Sequence, residues 1–292
     1  MKLRHLGIGH GIGRALTVLS VVAVFSLAIG DSRLGAQGQA GGGGRGGGPA
    51  AKPAPPVPRM PDGTPNLSWA DEAHKGVWRT GQHRDFAADL VDKAAGIPFQ
   101  PWSKALYEYR IKTEQKDDPE GFCLPAGGIS ATSNRMSQPW EFIQIPQQKR
   151  IVRIFEQVTM WQVIHMDGRE HPREAYDLPT WLGHSVGRWE GDTLVVDTVG
   201  FNEGHWLSVN GLVRTDRLHL VERFTRTDYN TLRYEATIDD PGAYTREWKV
   251  AWNLNWGPGQ ELNESMCVEN NKYPSLYPTD EGQFLKPQEL QR

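Results

Sequence analysis

From Gln138 onward, apolar side chains recur at every second position in short runs. "WEFIQI", "RIVRIFEQ", "MWQVIHMD", "DTLVVDTV", "LHLVERF", "TLRYEATID", "WKVAWNLNW" and "ELNESMCVEN" alternate in this way and are rich in β-branched and aromatic residues. Several are joined by the turn sequences "PQQK", "DGRE", "TDYN" and "GPGQ", too short for a helical crossover. The pattern predicts a mainly β fold, an antiparallel meander forming a lipocalin-like barrel or a strongly curved sheet. Upstream, "PWSKALYEYRIKTEQK" (101–116) changes to helical spacing, with Trp102, Leu106, Tyr109 and Thr113 on one side and Pro101 at the start. This predicts one N-terminal helix packed against the β domain.

The same alternation assigns faces. In "LHLVERF", Leu218, Leu220, Glu222 and Phe224 share a side, opposite His219, Val221 and Arg223. Later runs align Trp248, Val250, Trp252, Leu254 and Trp256, and then Leu262, Glu264, Met266 and Val268. Glu222 and Glu264 are therefore expected on an otherwise apolar surface. There a carboxylate must be paired or have its pKa raised. Arg153, on the face of Ile151 and Phe155, is a structural partner within reach; a ligand cavity is the functional alternative. Trp161, Val163, His165 and Asp167 form a further mixed face that would bring an imidazole toward the same cavity. Glu222, Glu264 and His165 are thus the candidate catalytic groups. "DTVGFNEGHWLSVNG" (197–211) reads as a polar loop at one end of the sheet, where Asp197, Asn202, His205 and Trp206 would form a ligand rim, with Trp252 among the rings of the pocket.

Gly183-His184-Ser185-Val186-Gly187 spells G-x-S-x-G, the string of a hydrolase nucleophile elbow. An elbow needs a strand before the serine and a helix after it. Here "YDLPTW" precedes it and "RWEGDTLVVD" follows, a turn segment and then a Gly-Asp turn with a strand. Ser185 is accordingly expected in an edge loop from Gly183 to Arg188 that enters a hairpin at Trp189, not as a nucleophile.

Composition adds a compartment. "MKLRHLGIGHGIGRALTVLSVVAVFSLAIGDSRLGAQ" joins a basic start to an apolar run and small residues, as a secretory signal peptide does. Removal of residues 1–36 leaves 28 Lys and Arg against 34 Asp and Glu, a net charge of −6 in place of −3. An acidic chain is a poor nucleic-acid binder, and no stable membrane span is expected after cleavage. The domain reading is 1–36 signal peptide, 37–63 Gly/Pro-rich tether, 64–137 loop-rich and helical part, 138–275 antiparallel β domain and 276–292 tail. Cys123 and Cys267 are the two cysteines, compatible in an oxidising compartment with one long-range disulfide or with two buried thiols. No nucleotide-binding or haem-attachment string is present, so no cofactor is expected, and the histidines lack the spacing of a recognised zinc site. Eleven Trp residues suit a concave pocket for an aromatic, isoprenoid or sugar ring, or a bulky core.

"MPDGTPNLS", "PTWLGHSVGRWEGDTLVVDTVGFN", "LHLVERF" and "ATIDDPGAYT" resemble the signature strings of a secreted bacterial family, numerous in Acidobacteria and also present in Proteobacteria, with no established activity. The resemblance runs from about Met60 to Asn271 and implies a β-rich fold. The family commonly carries Asp in the place of His184 and "GHPHSD" where this chain has "NGLVRTD" (210–216). The resemblance therefore implies that His184 is not an indispensable base, and that a metal site built on that His pair is missing. The functional expectation is a periplasmic or secreted protein that binds a small apolar or aromatic molecule. Its rivals are a cofactor-independent hydrolase, lyase or isomerase using a carboxylate/His pair in the same pocket, and an extracellular interaction module with exposed Trp residues.

Overall fold

The computed structural model describes residues 54–69, 71–81, 83, 86–133, 138–269 and 271–273. The expected signal peptide, the glycine-rich part of the tether and the tail 276–292 lie outside the described residues. Nine strands close into a barrel in chain order: β1 (Gly76–Arg79), β2 (Trp140–Ile145), β3 (Arg150–Phe155), β4 (Met160–His165), β5 (His184–Glu190), β6 (Thr193–Val199), β7 (His219–Asp228), β8 (Thr231–Asp239) and β9 (Trp248–Pro258). The barrel is mainly antiparallel, as expected, and β9 closes it by pairing with β1 through Trp78 opposite Trp256. One step is parallel. β4 meets β5 through Ile164 opposite Ser185 and His165 opposite Val186.

Seven of the eight alternating runs are strands; the eighth, "ELNESMCVEN", is not. Once β9 has paired with β1, no free edge remains for a tenth strand, so the backbone of 261–269 turns away from the barrel wall. Glu264 is consequently exposed and cannot share an inner surface with Glu222. Two strands had no clear alternating signal. β1 has only four residues, and its neighbour across the seam with β2 is a single pair, Trp78 and Trp140. β5 contains the G-x-S-x-G string itself, so Ser185 is a strand residue, not a turn residue.

β1 comes from the stretch read as a separate N-terminal part, so the barrel extends across the expected boundary at 137. The proline-rich end of the tether also lies on the barrel. Arg59 makes two 2.6 Å bonds to Asp192 in the β5–β6 turn, and Tyr229 N–H donates to the Pro55 carbonyl at 3.0 Å. The helix forms at α1 (Pro101–Lys112), where Pro supplies a preset φ at the first turn. Its buried side is Ser103, Leu106 and Arg110, a face rotated from the expected Trp102–Tyr109 stripe, and Tyr109 is exposed. Trp102 still anchors the helix by donating its indole N–H to the Gly242 carbonyl. Two single-turn helices follow, α2 (Ile129–Thr132) and α3 (Glu174–Asp177). Among the described residues no helix is long and apolar enough to cross a membrane.

Inside, the alternating residues fill the barrel. Trp78, Trp140, Phe142, Phe155, Phe224, Tyr234 and Leu254 are buried, with neighbouring ring centroids at contact separations such as 5.1 Å for Trp140 and Phe142 and 4.6 Å for Tyr234 and Trp252. The 200–218 connection plugs one end with Phe201, Leu207, Leu212 and Val213, all fully or almost fully buried. Asp240 ties down its exit, accepting from the Thr215 N–H at 2.7 Å and the Thr215 hydroxyl at 2.6 Å.

Candidate functional site

Two polar assemblies stand out, one inside the barrel and one on its outer wall. The inner one centres on Glu222, which alternation places inward on β7 and which is fully buried. Its partner is Arg153 of β3, also fully buried, with Nη1 at 3.3 Å from both carboxylate oxygens. Tyr234 donates to Glu222 Oε1 at 2.9 Å and Thr132 of α2 at 3.2 Å. Burial first, and then the Glu222 charge, hold the Tyr234 phenol well above its ordinary pKa, so it remains a donor. Four rings surround the guanidinium, with Trp140 and Phe155 at 4.6 and 4.8 Å. Arg153 Nη1 continues to Gln162 Oε1 at 3.1 Å; Gln162 Nε2 donates to Ser185 Oγ at 2.8 Å, and Ser185 meets Thr198 at 2.9 Å. Apart from Arg153 Nε, which is buried without a hydrogen-bond partner, the polar groups of this layer bond one another, which is how a barrel interior tolerates an ion pair. Ser185 is a buried link in this chain, without the exposed hydroxyl an elbow presents.

The outer assembly arises from the opposite faces of the same strands. On β4 the inward residues are Met160, Gln162 and Ile164, so His165 projects outward, away from Glu222. The expected meeting of His165 with Glu222 is therefore reversed: a strand face that carries Gln162 inward must carry His165 out. On β5 and β6 the outward residues include His184 and Asp197, and on β7 His219. The link 166–183, which makes the parallel step, lays His171 over them. Asp197 Oδ1 lies 3.1 Å from His171 Nε2 and 2.8 Å from His219 Nε2; His171 Nδ1 lies 2.9 Å from His184 Nδ1; His184 stacks on His165 at 5.2 Å.

Electrostatics orders the protons. Burial pushes the Asp197 pKa up, but the bonds from His219 and His171 outweigh it and hold it below the ordinary value. An ionised carboxylate only accepts, so both Nε2 atoms carry hydrogens. The Nε2–H tautomer of His171 leaves its Nδ1 as an acceptor, which an Nδ1–H of His184 can meet. The Asp197 bond raises the His219 pKa, whereas burial and the neighbouring His171 lower that of His184. Groups driven in opposite directions within one cluster suit proton transfer. A cleft of about 510 Å³ opens beside them, lined by His171, Tyr176, Asp197, Val199, Leu218 and His219 among others. Among the described residues, no three His, Cys, Asp or Glu side chains are disposed to hold a metal ion.

The remaining expected rim residues lie elsewhere. Asn202 is half-buried, accepting from the Gly204 N–H and from Arg214 at 3.1 Å each. His205 and Trp206 are buried in the plug, His205 Nδ1 against the Trp206 carbonyl and Trp206 beneath the Arg110 guanidinium at 4.4 Å. Trp252 is an interior ring sandwiched by Tyr234 and His83. The loop is apolar at alternate and clustered positions, a signal of burial that its polar residues masked. Of the expected ligand residues only Asp197 faces the cleft; His171 had no strand pattern to flag it. In comparisons with known proteins, no family profile, no curated protein and no solved structure matches the chain.

Proposed function

We propose that this is a secreted or periplasmic barrel protein that binds a small molecule on its outer wall, in the cleft at Asp197. The observation that carries the reading is the single carboxylate oxygen accepting from both His171 and His219 at the mouth of a cleft of about 510 Å³. That volume is within the range of small-molecule sites. Val199, Leu218 and the Tyr176 ring offer surface to an apolar or aromatic body, and Asp197 with its imidazoles offers a polar anchor. The filled interior favours this wall over the lumen. Membership of the secreted bacterial family suggested by "PTWLGHSVGRWEGDTLVVDTVGFN" is part of the same proposal.

The imidazole–carboxylate chain favours a second reading, cofactor-independent acid–base turnover in that cleft. His219, whose pKa the Asp197 bond raises, would be the proton donor, held in place by Asp197. The test is a panel of phenols, aromatic amines and alicyclic alcohols titrated into the full chain while histidine ring resonances are followed. Saturable shifts at His171 and His219 that vanish in Asp197→Asn, with the fold retained, support binding at this site. Shifts confined to the Trp252 indole would place the ligand in the lumen and overturn the assignment; conversion of a panel member, lost in Asp197→Asn, selects the enzyme.

A further inference from the structure

A second cleft, of about 430 Å³, lies at the plugged end of the barrel and is separate from the Asp197 wall. One side is the irregular segment after β9. Its pins include Asn263 N–H to Glu156, Ser265 N–H to Thr159, Asn271 Nδ2 to the Gly121 carbonyl and Tyr273 hydroxyl to the Gln115 carbonyl. A further attachment is covalent, a disulfide between Cys123 and Cys267 whose Cα atoms are 5.4 Å apart. The two sulfurs are not equivalent. Cys267 lines the cleft together with Val158, Val209 and Met266, whereas Cys123 is not among the lining residues. Asn271, which also lines the cleft, places its Nδ2 3.0 Å from Cys123 Sγ.

We propose that this cleft admits a low-molecular-weight thiol and directs it onto Cys267, making that residue a site of thiol–disulfide exchange. A thiolate RS⁻ attacks Cys267 Sγ. The new RS–S bond forms as the Cys267–Cys123 bond breaks, and the electron pair leaves on Cys123 Sγ as a thiolate. The Asn271 amide N–H points at the atom where that charge appears, so the better leaving sulfur is Cys123. The product is a mixed disulfide on Cys267 and a free Cys123 thiolate. A second equivalent of RS⁻ releases RSSR and returns Cys267 as a thiolate. Severing the covalent link leaves the segment after β9 held by its hydrogen bonds, the Lys75–Glu261 ion pair and the Tyr273–Phe122 ring contact, so the exchange loosens the cover of this cleft.

The experiment uses the full oxidised chain and 2-mercaptoethanol without denaturant, with acid quench, alkylation and peptide mapping. The expected first product carries mercaptoethanol on Cys267 and the alkyl group on Cys123, by at least tenfold over the reverse pattern. Urea-unfolded protein should lose that preference, which separates a property of the fold from one of local sequence. Asn271→Leu should slow exchange in the folded protein about tenfold while leaving the rate in urea unchanged. Equal labelling of the two cysteines, a preference for Cys123, or exchange only after unfolding would overturn the proposal.

Discussion

Glu222 shows how one side chain is constrained by its surroundings. Removing its charge leaves the Arg153 guanidinium buried without a counter-ion, and breaking one partner of such a pair costs more than the pair contributes. Glu222→Gln is expected to lower unfolding free energy by about 3 kcal/mol, measured by urea denaturation. Binding at the outer cleft, per folded molecule, is expected to stay unchanged because Glu222 lies on the other side of the wall; loss of binding with an intact fold would return the site to the lumen. At Asp197 the prediction concerns pH. The His219 pKa is raised, so its stabilisation is complete below about 6.5, the unfolded value, and is lost as pH rises through the folded value. The Asp197 pKa is lowered, so its stabilisation is present above about 3.9 and is lost as pH falls through its folded value. The gap in melting temperature between the parent and Asp197→Asn is therefore expected to be widest from about pH 4 to 6.5. The His219 ring titration should drop toward an ordinary midpoint in the variant.

Among the elements, β5 departs most from what its sequence suggests. Its entry depends on Gly183, whose φ of +68° is left-handed and whose added Cβ would stand 2.6 Å from the Val199 carbonyl oxygen. Val199 is the residue paired with His184, so this contact sits where β5 joins β6. Gly183→Ala must adopt a strained backbone and displace a main-chain oxygen, costs of about 1–2 kcal/mol for the conformation alone. The variant is expected to unfold at lower urea and to perturb the His171–His184 contact, visible as altered histidine resonances. A neutral result would mean that β5 enters by a different backbone path. The glycines of the G-x-S-x-G string thus serve strand geometry, with no catalytic turn.

At the level of the whole molecule, closure decides what can be separated. β9 and β2 both rely on β1, and Gly76 pairs with Pro258 across most of the chain. A fragment of residues 138–275 would expose both seams as open edges bearing Trp140 and Trp256. It is expected to aggregate or to lack dispersed amide resonances, whereas a chain beginning at residue 54 folds. Dispersed spectra from the shorter fragment would show that β1 is dispensable. Such long-range pairing also predicts folding in milliseconds to seconds, because the loop must close before its contacts form.

The sequence by itself determined most strands and their faces, since a period of two is a local property: seven runs and the inward Glu222 and Arg153 followed from it. It also determined that Ser185 lacks an elbow, although not that the serine is buried in a strand. The tertiary structure alone decided that a four-residue segment closes the barrel and that "ELNESMCVEN" finds no edge. It also decided which of two possible partners meet, because pairing depends on which strands become neighbours. Thus Glu264 lost its expected surface, and His165 turned outward to stack on His184, while His171, which also meets His184, comes from an irregular link with no pattern to read. Cys123 and Cys267 were both legible as candidates; only the closing of the chain on itself brought them together.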